Sequence, residues 1–249
     1  MSSLLTLKKV SLQASVGQHF ILDKISLDIE PGEFVALVGP SGAGKTSLLK
    51  LMNRLKSASS GTICFQGDVI ETLSVFALRQ KVMLVGQDCH LLGMTVQEAL
   101  HYPLRLQGLS EKTRTARVLA WADKLKLPQE WWNRTELQLS GGQQQQVAIT
   151  RALVAEPTVL LLDEPTSAQD LGTATRILSV IQTQVRTQGL SVIMSNHQLD
   201  LVQAVCDRVL YLEDGCLFKD QQASEVDWQD LRQSLLKADE KRQEEWGDD

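Results

Sequence analysis

The stretch that decides the fold is Phe34–Ser47, FVALVGPSGAGKTS. Phe34–Val38 is a short apolar run of strand type, and the SLLKLMNRL that follows the glycines carries leucines and a methionine at helical spacing. Between them, Gly39–Ser47 fits the template G-x-x-x-x-G-K-[ST] in the strand-to-helix context that the template requires. In that geometry Gly39, Gly42 and Gly44 let main-chain N–H groups converge on the β- and γ-phosphates of a nucleotide, which side chains would obstruct. Lys45 adds a point charge and Thr46 offers a hydroxyl to Mg²⁺. The expected binding segment is Gly39, Pro40, Ser41, Gly42, Ala43, Gly44, Lys45, Thr46 and Ser47. The competing reading, a glycine-rich turn that binds nothing, does not require the full template.

Further along, Val159–Glu164, VLLLDE, is a continuous apolar run of the kind found in strands buried on both faces of a parallel sheet. Two carboxylates end it. Ligands of open α/β sheets collect at the carboxyl ends of the strands, so Asp163 and Glu164 are expected beside the phosphate loop. Asp163 is then suited to the Mg²⁺ shell and Glu164 to the water that attacks the γ-phosphate.

A third segment, Leu139–Gln143, LSGGQ, has the form of a phosphate grip without a group able to cut a phosphate. Ser140 supplies a hydroxyl, Gly141 and Gly142 allow close backbone approach, and a helical run starting at Gln143 aims N–H groups and a positive helix end at an anion. Taken alone, the segment reads rather as a glycine turn before an ordinary helix, and only its companions elsewhere in the chain overturn that reading.

In this order GPSGAGKTS, LSGGQ and VLLLDEP resemble the nucleotide-binding subunit of an ABC transporter, and the resemblance covers roughly Leu4 to Phe218. It implies an α/β fold of the P-loop NTPase kind, with a RecA-like parallel-sheet core, an N-terminal antiparallel β subdomain and an inserted α-helical subdomain. It implies hydrolysis of ATP to ADP and phosphate with Mg²⁺, coupled to a separate integral membrane permease. Gln87, in VMLVGQD, matches the Q-loop glutamine, expected at Mg²⁺ or the attacking water. His197, in VIMSNH, matches the switch histidine that contacts the γ-phosphate. Ser167–Asp170, SAQD, resembles the D-loop, with Gln169 where leucine is usual. In the family, Ser140 and Gly142 face the γ-phosphate of a partner subunit, so a head-to-tail homodimer around ATP is expected.

Two positions depart from the family pattern. Val16 stands where an aromatic residue often stacks on adenine, and it offers apolar contact without an aromatic face. Gln146 stands where arginine is common, so a weakened local ion pair is expected. Arg151, later on the same helix, keeps a basic residue that the family also has.

The remaining composition fits these expectations. The chain has 249 residues and a formal charge of −5, which argues against broad nucleic-acid binding. No apolar run approaches the roughly 20 residues that cross a bilayer, and MSSLLTLKK lacks a secretion signal. A cytoplasmic protein, peripheral at the inner face of the cell membrane, is expected. Cys64, Cys89, Cys206 and Cys216 have no paired ligand spacing, and adjacent Cys89 and His90 alone are too few for a metal site.

The pattern predicts a β-rich start over the first thirty or so residues, a helical lobe over about 91–139, and a return to alternating strands and helices. Ser110 is a plausible helix cap, and Asp214-Gly215 a hairpin turn. The ATPase domain is expected over 4–220. From 221 to 249 a charged surface helix, with Trp228, Leu231, Leu235 and Leu236 at helical spacing, is expected to fray into an acidic end. The short lobe and tail resemble subunits linked to metal or iron export and also importers of amino acids or phosphate, and of these metal or iron export is the reading taken. An importer subunit for amino acids or phosphate, and a soluble ABC ATPase without a permease, are the alternatives. Intact Glu164 and His197 speak against a non-enzymatic nucleotide switch.

Overall fold

The β-rich start of the chain forms two long strands, β1 (Leu5–Gln13) and β2 (Phe20–Ile29), paired antiparallel from Leu5↔Ile29 to Gln13↔Phe20. The computed structural model describes residues 3–17 and 19–247, with side chains described to residue 238. Lys9 and Lys24 each take left-handed backbone, φ 48°. Their N–H groups donate to Ser26 Oγ and Ser11 Oγ at 2.9 Å, so the hydroxyls replace ladder partners where the pairing is shifted.

Strand β3 (Phe34–Val38) is buried along its whole length and leads through the phosphate loop into α1 (Lys45–Met52). Next come β4 (Ser60–Phe65), β5 (Asp68–Val69), the short α2 (Val75–Lys81) and β6 (Val82–Val85). A helical stretch follows: α3 (Val96–Leu106), α4 (Glu111–Lys124) and α5 (Gly141–Val154). The chain then runs through β7 (Val159–Asp163), α6 (Leu171–Gln188), β8 (Ser191–Ser195) and α7 (Leu199–Val205). The hairpin of β9 (Arg208–Glu213) and β10 (Cys216–Gln222) turns on Asp214 and Gly215, and α8 (Trp228–Gly247) follows.

Two sheets result, of order β2-β1-β4-β5 and β10-β9-β3-β8-β7-β6. The second is parallel from β9 to β6, with β10 antiparallel at its edge. Alternation along its strands separates two cores. Phe34, Ala36, Val38, Leu160, Leu162, Val192 and Met194 face α5, α6 and α7. Val35, Leu37, Val159, Leu161 and Ile193 face α1 and the four-stranded sheet. A parallel sheet covered on both faces explains why its strands read as unbroken apolar runs.

Local chemistry sets several boundaries. Thr95 and Glu98 form a reciprocal capping box on α3, and Ser110 Oγ accepts from Thr113 N at the start of α4. The pattern predicts the fifth helix from Gln143, whereas α5 begins at Gly141. Ser140 and Gln143 form a capping box that carries both glycines in the first turn. The helical layer also extends past Leu139, because α5 packs on α3 and α4. On α8, Leu231 and Leu235 are buried while Leu236 is exposed, and Arg232 pairs with Asp200 of α7 at 2.6 Å. The expected acidic end at Asp248 and Asp249 lies outside the described residues.

Candidate functional site

The phosphate loop leaves the end of β3, and its shape depends on close backbone packing. Gly44 has φ 100°, and a Cβ there would come within 3.0 Å of Ile21 O and the Leu22 side chain. Only glycine combines that torsion with that approach. The ammonium of Lys45, 6% exposed, donates to Gly39 O at 2.7 Å and Pro40 O at 2.8 Å and so closes the loop upon itself. Thr46 Oγ1 donates to Asp163 Oδ1 at 3.1 Å, joining the loop to the end of β7.

Asp163 is held from a second side. In the parallel pairing it stands opposite Ser195, the last residue of β8, whose hydroxyl donates to the same Oδ1 at 2.7 Å. Two donors on one oxygen of a buried carboxylate orient it and offset the cost of burying its charge. Glu164 follows with left-handed backbone, φ 51°, which turns it out of the strand direction. Its N–H lies 3.1 Å from both Ser195 O and Ser195 Oγ, and its Oε1 lies 3.0 Å from His197 Nε2. The loops after β7 and β8 are further tied by Asn196, whose Nδ2 donates to Thr166 Oγ1 at 2.9 Å. The structure therefore brings Lys45, Thr46, Asp163, Glu164 and His197 to the carboxyl ends of β3, β7 and β8.

The LSGGQ segment meets this group through the loop after β7. Gln145 of α5, almost fully buried, donates from Nε2 to Glu164 O at 2.9 Å. Gln169 donates back from Nε2 to Gly142 O at 2.6 Å. Gly142 lies so close to the loop that a Cβ would fall well inside 3.0 Å of Ala168 O. Ser140 and Gly141 face outward. Asp170, the cap of α6, accepts from Thr173 N at 2.9 Å, and this bond holds its carboxyl below the ordinary range.

Gln87 lies two residues beyond the edge strand β6 and is exposed. The segment after it is anchored to α5 by Arg151, whose Nη1 donates to His90 O at 3.0 Å, and to the turn before α5 by Glu136, whose Oε2 accepts from Leu91 N at 2.7 Å. Burial lowers the proton affinity of the Arg151 guanidinium and raises that of the neighbouring Cys89 thiol. Cys89 Sγ itself donates to Gly86 O at 3.3 Å. Val16 is 85% exposed in the loop between β1 and β2, while Ile21 and Leu22 pass beside Gly44.

At Gln146 the expectation of a weakened ion pair gives way to a different arrangement. The side chain is buried, and its Nε2 donates to Leu125 O at the end of α4 at 2.8 Å. A neutral amide satisfies that carbonyl without bringing a charge into the interior. Two contributors escaped the sequence reading, Ser195 and Gln145. Ser195 had one available signal, a hydroxyl at the carboxyl end of an apolar strand. Gln145 lay unmarked in a run of four glutamines.

A phosphate loop and a β7 carboxylate pair, with a capped glycine turn docked on the carboxylate loop, define a nucleoside-triphosphatase cassette. The family model described as "ABC transporter" matches residues 22–167, and the chain belongs to that family. It is 41% identical over 216 residues to the arginine transport ATP-binding protein ArtP of Escherichia coli K12, covering 84% of this chain and 88% of the relative. It is 37% identical over 227 residues to the methionine import ATP-binding protein MetN of Caulobacter vibrioides, covering 90% of this chain and 68% of the relative. Among solved structures it resembles the ATP-binding cassette MJ0796, dimeric and bound to ADP and Pi in a post-hydrolysis state. The TM-score is 0.78 at 27% identity, over 88% of this chain and 98% of the other. The chain is thus an ATP-binding, ATP-hydrolysing cassette of the ABC transporter kind. Among the described residues no helix is long and apolar enough to cross a membrane.

Proposed function

We propose that this cassette energises import of an amino acid through a separate membrane permease, working as a head-to-tail homodimer with ATP between the subunits at the inner face of the membrane. The observation that carries the hydrolytic part is the continuous chain of contacts Thr46–Asp163–Ser195–Glu164–His197 across three strand ends. The substrate class rests on the names of the relatives, which concern methionine import and arginine transport. They give no support to the metal or iron export expected from the short lobe and tail. The names also favour a transporter subunit over a soluble ATPase without a permease. Residues 4–220 serve as the cassette, with the lobe over about 91–139 inserted in it and 221–249 as an appendage.

The contacts at the strand ends, together with the family pattern, support the following roles. Lys45 and the amides of Gly39–Ser47 hold the phosphates and stabilise the charge that spreads over them during transfer. The hydroxyl of Thr46 and the carboxylate of Asp163 are a hard oxygen donor set, and with Gln87 they would hold Mg²⁺, whose contribution is to neutralise phosphate charge. Glu164 accepts a proton from the attacking water, and His197, hydrogen-bonded to it, orients the carboxylate and senses the γ-phosphate. Ser140, Gly141, Gly142 and Gln143 grip the partner's nucleotide at the positive end of α5. Val16 gives the base apolar contact only.

The test is Glu164→Gln, which keeps shape and removes the base. Sedimentation with ATP is expected to reveal a stable dimer, and phosphate release to fall at least 100-fold. A variant that stays monomeric with ATP and still turns over would overturn the proposal.

A further inference from the structure

Two glutamine amides join the first turns of α5 to the loop that carries Glu164. Gln145 reaches from α5 to Glu164 O, and Gln169 reaches from the loop to Gly142 O, at 2.9 Å and 2.6 Å. The second link depends on a side-chain amide at position 169, where the family resemblance has leucine, a residue with no donor. The link is also unnecessary for the helix. A carbonyl oxygen has two lone pairs, and the α-helical ladder uses only one at Gly142. Gln169 is half-buried, and its amide bonds where Gly142 and Ala168 already touch backbone to backbone. Ser140 and Gly141, immediately before this contact, are the outward-facing part of the turn.

We propose that Gln169 is a positioning residue that locks the Ser140–Gln143 turn to the Glu164–Asp170 loop of the same chain. The grip on the partner's nucleotide and the alignment of this chain's own hydrolytic carboxylate are then set together, as one block. This inference rests on the reading that Ser140 and Gly142 reach the partner's nucleotide. Losing the amide loosens the grip and leaves this chain's own phosphate loop untouched.

The experiment uses the full chain in a Glu164→Gln background and measures the ATP concentration that half-saturates dimer formation by sedimentation. Binding of a fluorescent ATP analogue to the monomer is measured alongside. Gln169→Leu and Gln169→Glu remove the donor, Gln169→Lys restores one, and Ser140→Ala probes the underlying reading. One net hydrogen bond corresponds to about a fivefold change. Gln169→Leu is therefore expected to raise the half-saturating ATP about fivefold, and Gln169→Glu more, because its carboxylate faces a carbonyl oxygen. Gln169→Lys is expected to stay within about twofold of the parent, and monomer binding to stay unchanged in all three. Should Ser140→Ala dimerise like the parent, the partner-nucleotide reading falls and the inference with it. Should Ser140→Ala fail to dimerise while Gln169→Leu behaves as the parent, that reading stands and the positioning role is refuted. Equal losses in the Lys and Leu variants, or a parallel loss of monomer binding, also refute it.

Discussion

Gly142→Ala sets two effects of opposite sign against each other at one atom. Gly142 lies in the first turn of α5, where alanine is favoured over glycine by up to about 1 kcal/mol. The added Cβ would fall well inside 3.0 Å of Ala168 O, so one backbone must retreat by about 1 Å to reach an ordinary contact. That retreat stretches the bond from Gln169 to Gly142 O and removes about 1 kcal/mol of net hydrogen bonding. The two terms nearly cancel, and the melting temperature is expected to move by no more than about 4 °C. Turnover does not share in the cancellation. A misplacement of 1 Å in a positioning element costs about 100-fold in rate, so ATPase activity is expected to fall by that order. The assays are scanning calorimetry and steady-state phosphate release on the same preparation. Gly141→Ala is the control, since among the described residues nothing beyond its own helix turn and chain neighbours lies within 4 Å of the added Cβ. By the same helix preference it is expected to keep or slightly raise stability, and any loss of turnover it causes reports a nucleotide or partner at that face. Activity of Gly142→Ala within threefold of the parent would refute the reasoning. So would a fall in melting temperature beyond about 10 °C, which would mean the strain is not confined to the loop.

Two further outcomes test the surroundings of the site. Gln146→Leu strands the buried Leu125 carbonyl at the end of α4, costing about 1–3 kcal/mol, and is expected to lower the calorimetric melting temperature by several degrees; an unchanged value would show that the amide does not support that helix end. Asp170→Asn tests pH linkage: the folded carboxyl is held below its ordinary value of 3.8 by the cap bond to Thr173, so its stabilisation is present above that value and is lost as pH falls below it. The asparagine still caps, so stability near neutrality is expected to match the parent, while the decline measured from about pH 4 to 2 becomes shallower.

How much of this molecule its sequence discloses depends on how local each determinant is. The phosphate loop, the acids at the end of β7, the cap at Ser110, and the Asp214-Gly215 hairpin each depend on a handful of adjacent residues, and all are legible. The helix α2 is not, because seven residues give less than two full turns of pattern. The start of α5 was hidden by its glycines, which argue for a turn until the Ser140–Gln143 box is seen to close around them. Ser195 depends on strand register, Asp163 opposite Ser195, and no local signal encodes a pairing across 32 residues. Gln145, Gln146 and Gln169 are chemically alike and reach three different carbonyls. Their roles come from what tertiary packing places in front of each amide.

The position of β3 has a consequence for how the chain is made. Its sheet partners are β8 and β9, so the strand that launches the phosphate loop has no neighbour until Ser191–Ser195 and Arg208–Glu213 exist. Roughly 150 residues separate it from the first of these, a delay of about 8–30 s at ordinary synthesis rates of 5–20 residues per second. Throughout that interval five apolar residues, each wholly buried at the end, wait without a sheet. The nascent cassette therefore carries an exposed adhesive strand through most of its synthesis, and the wait ends only when most of the protein has left the ribosome.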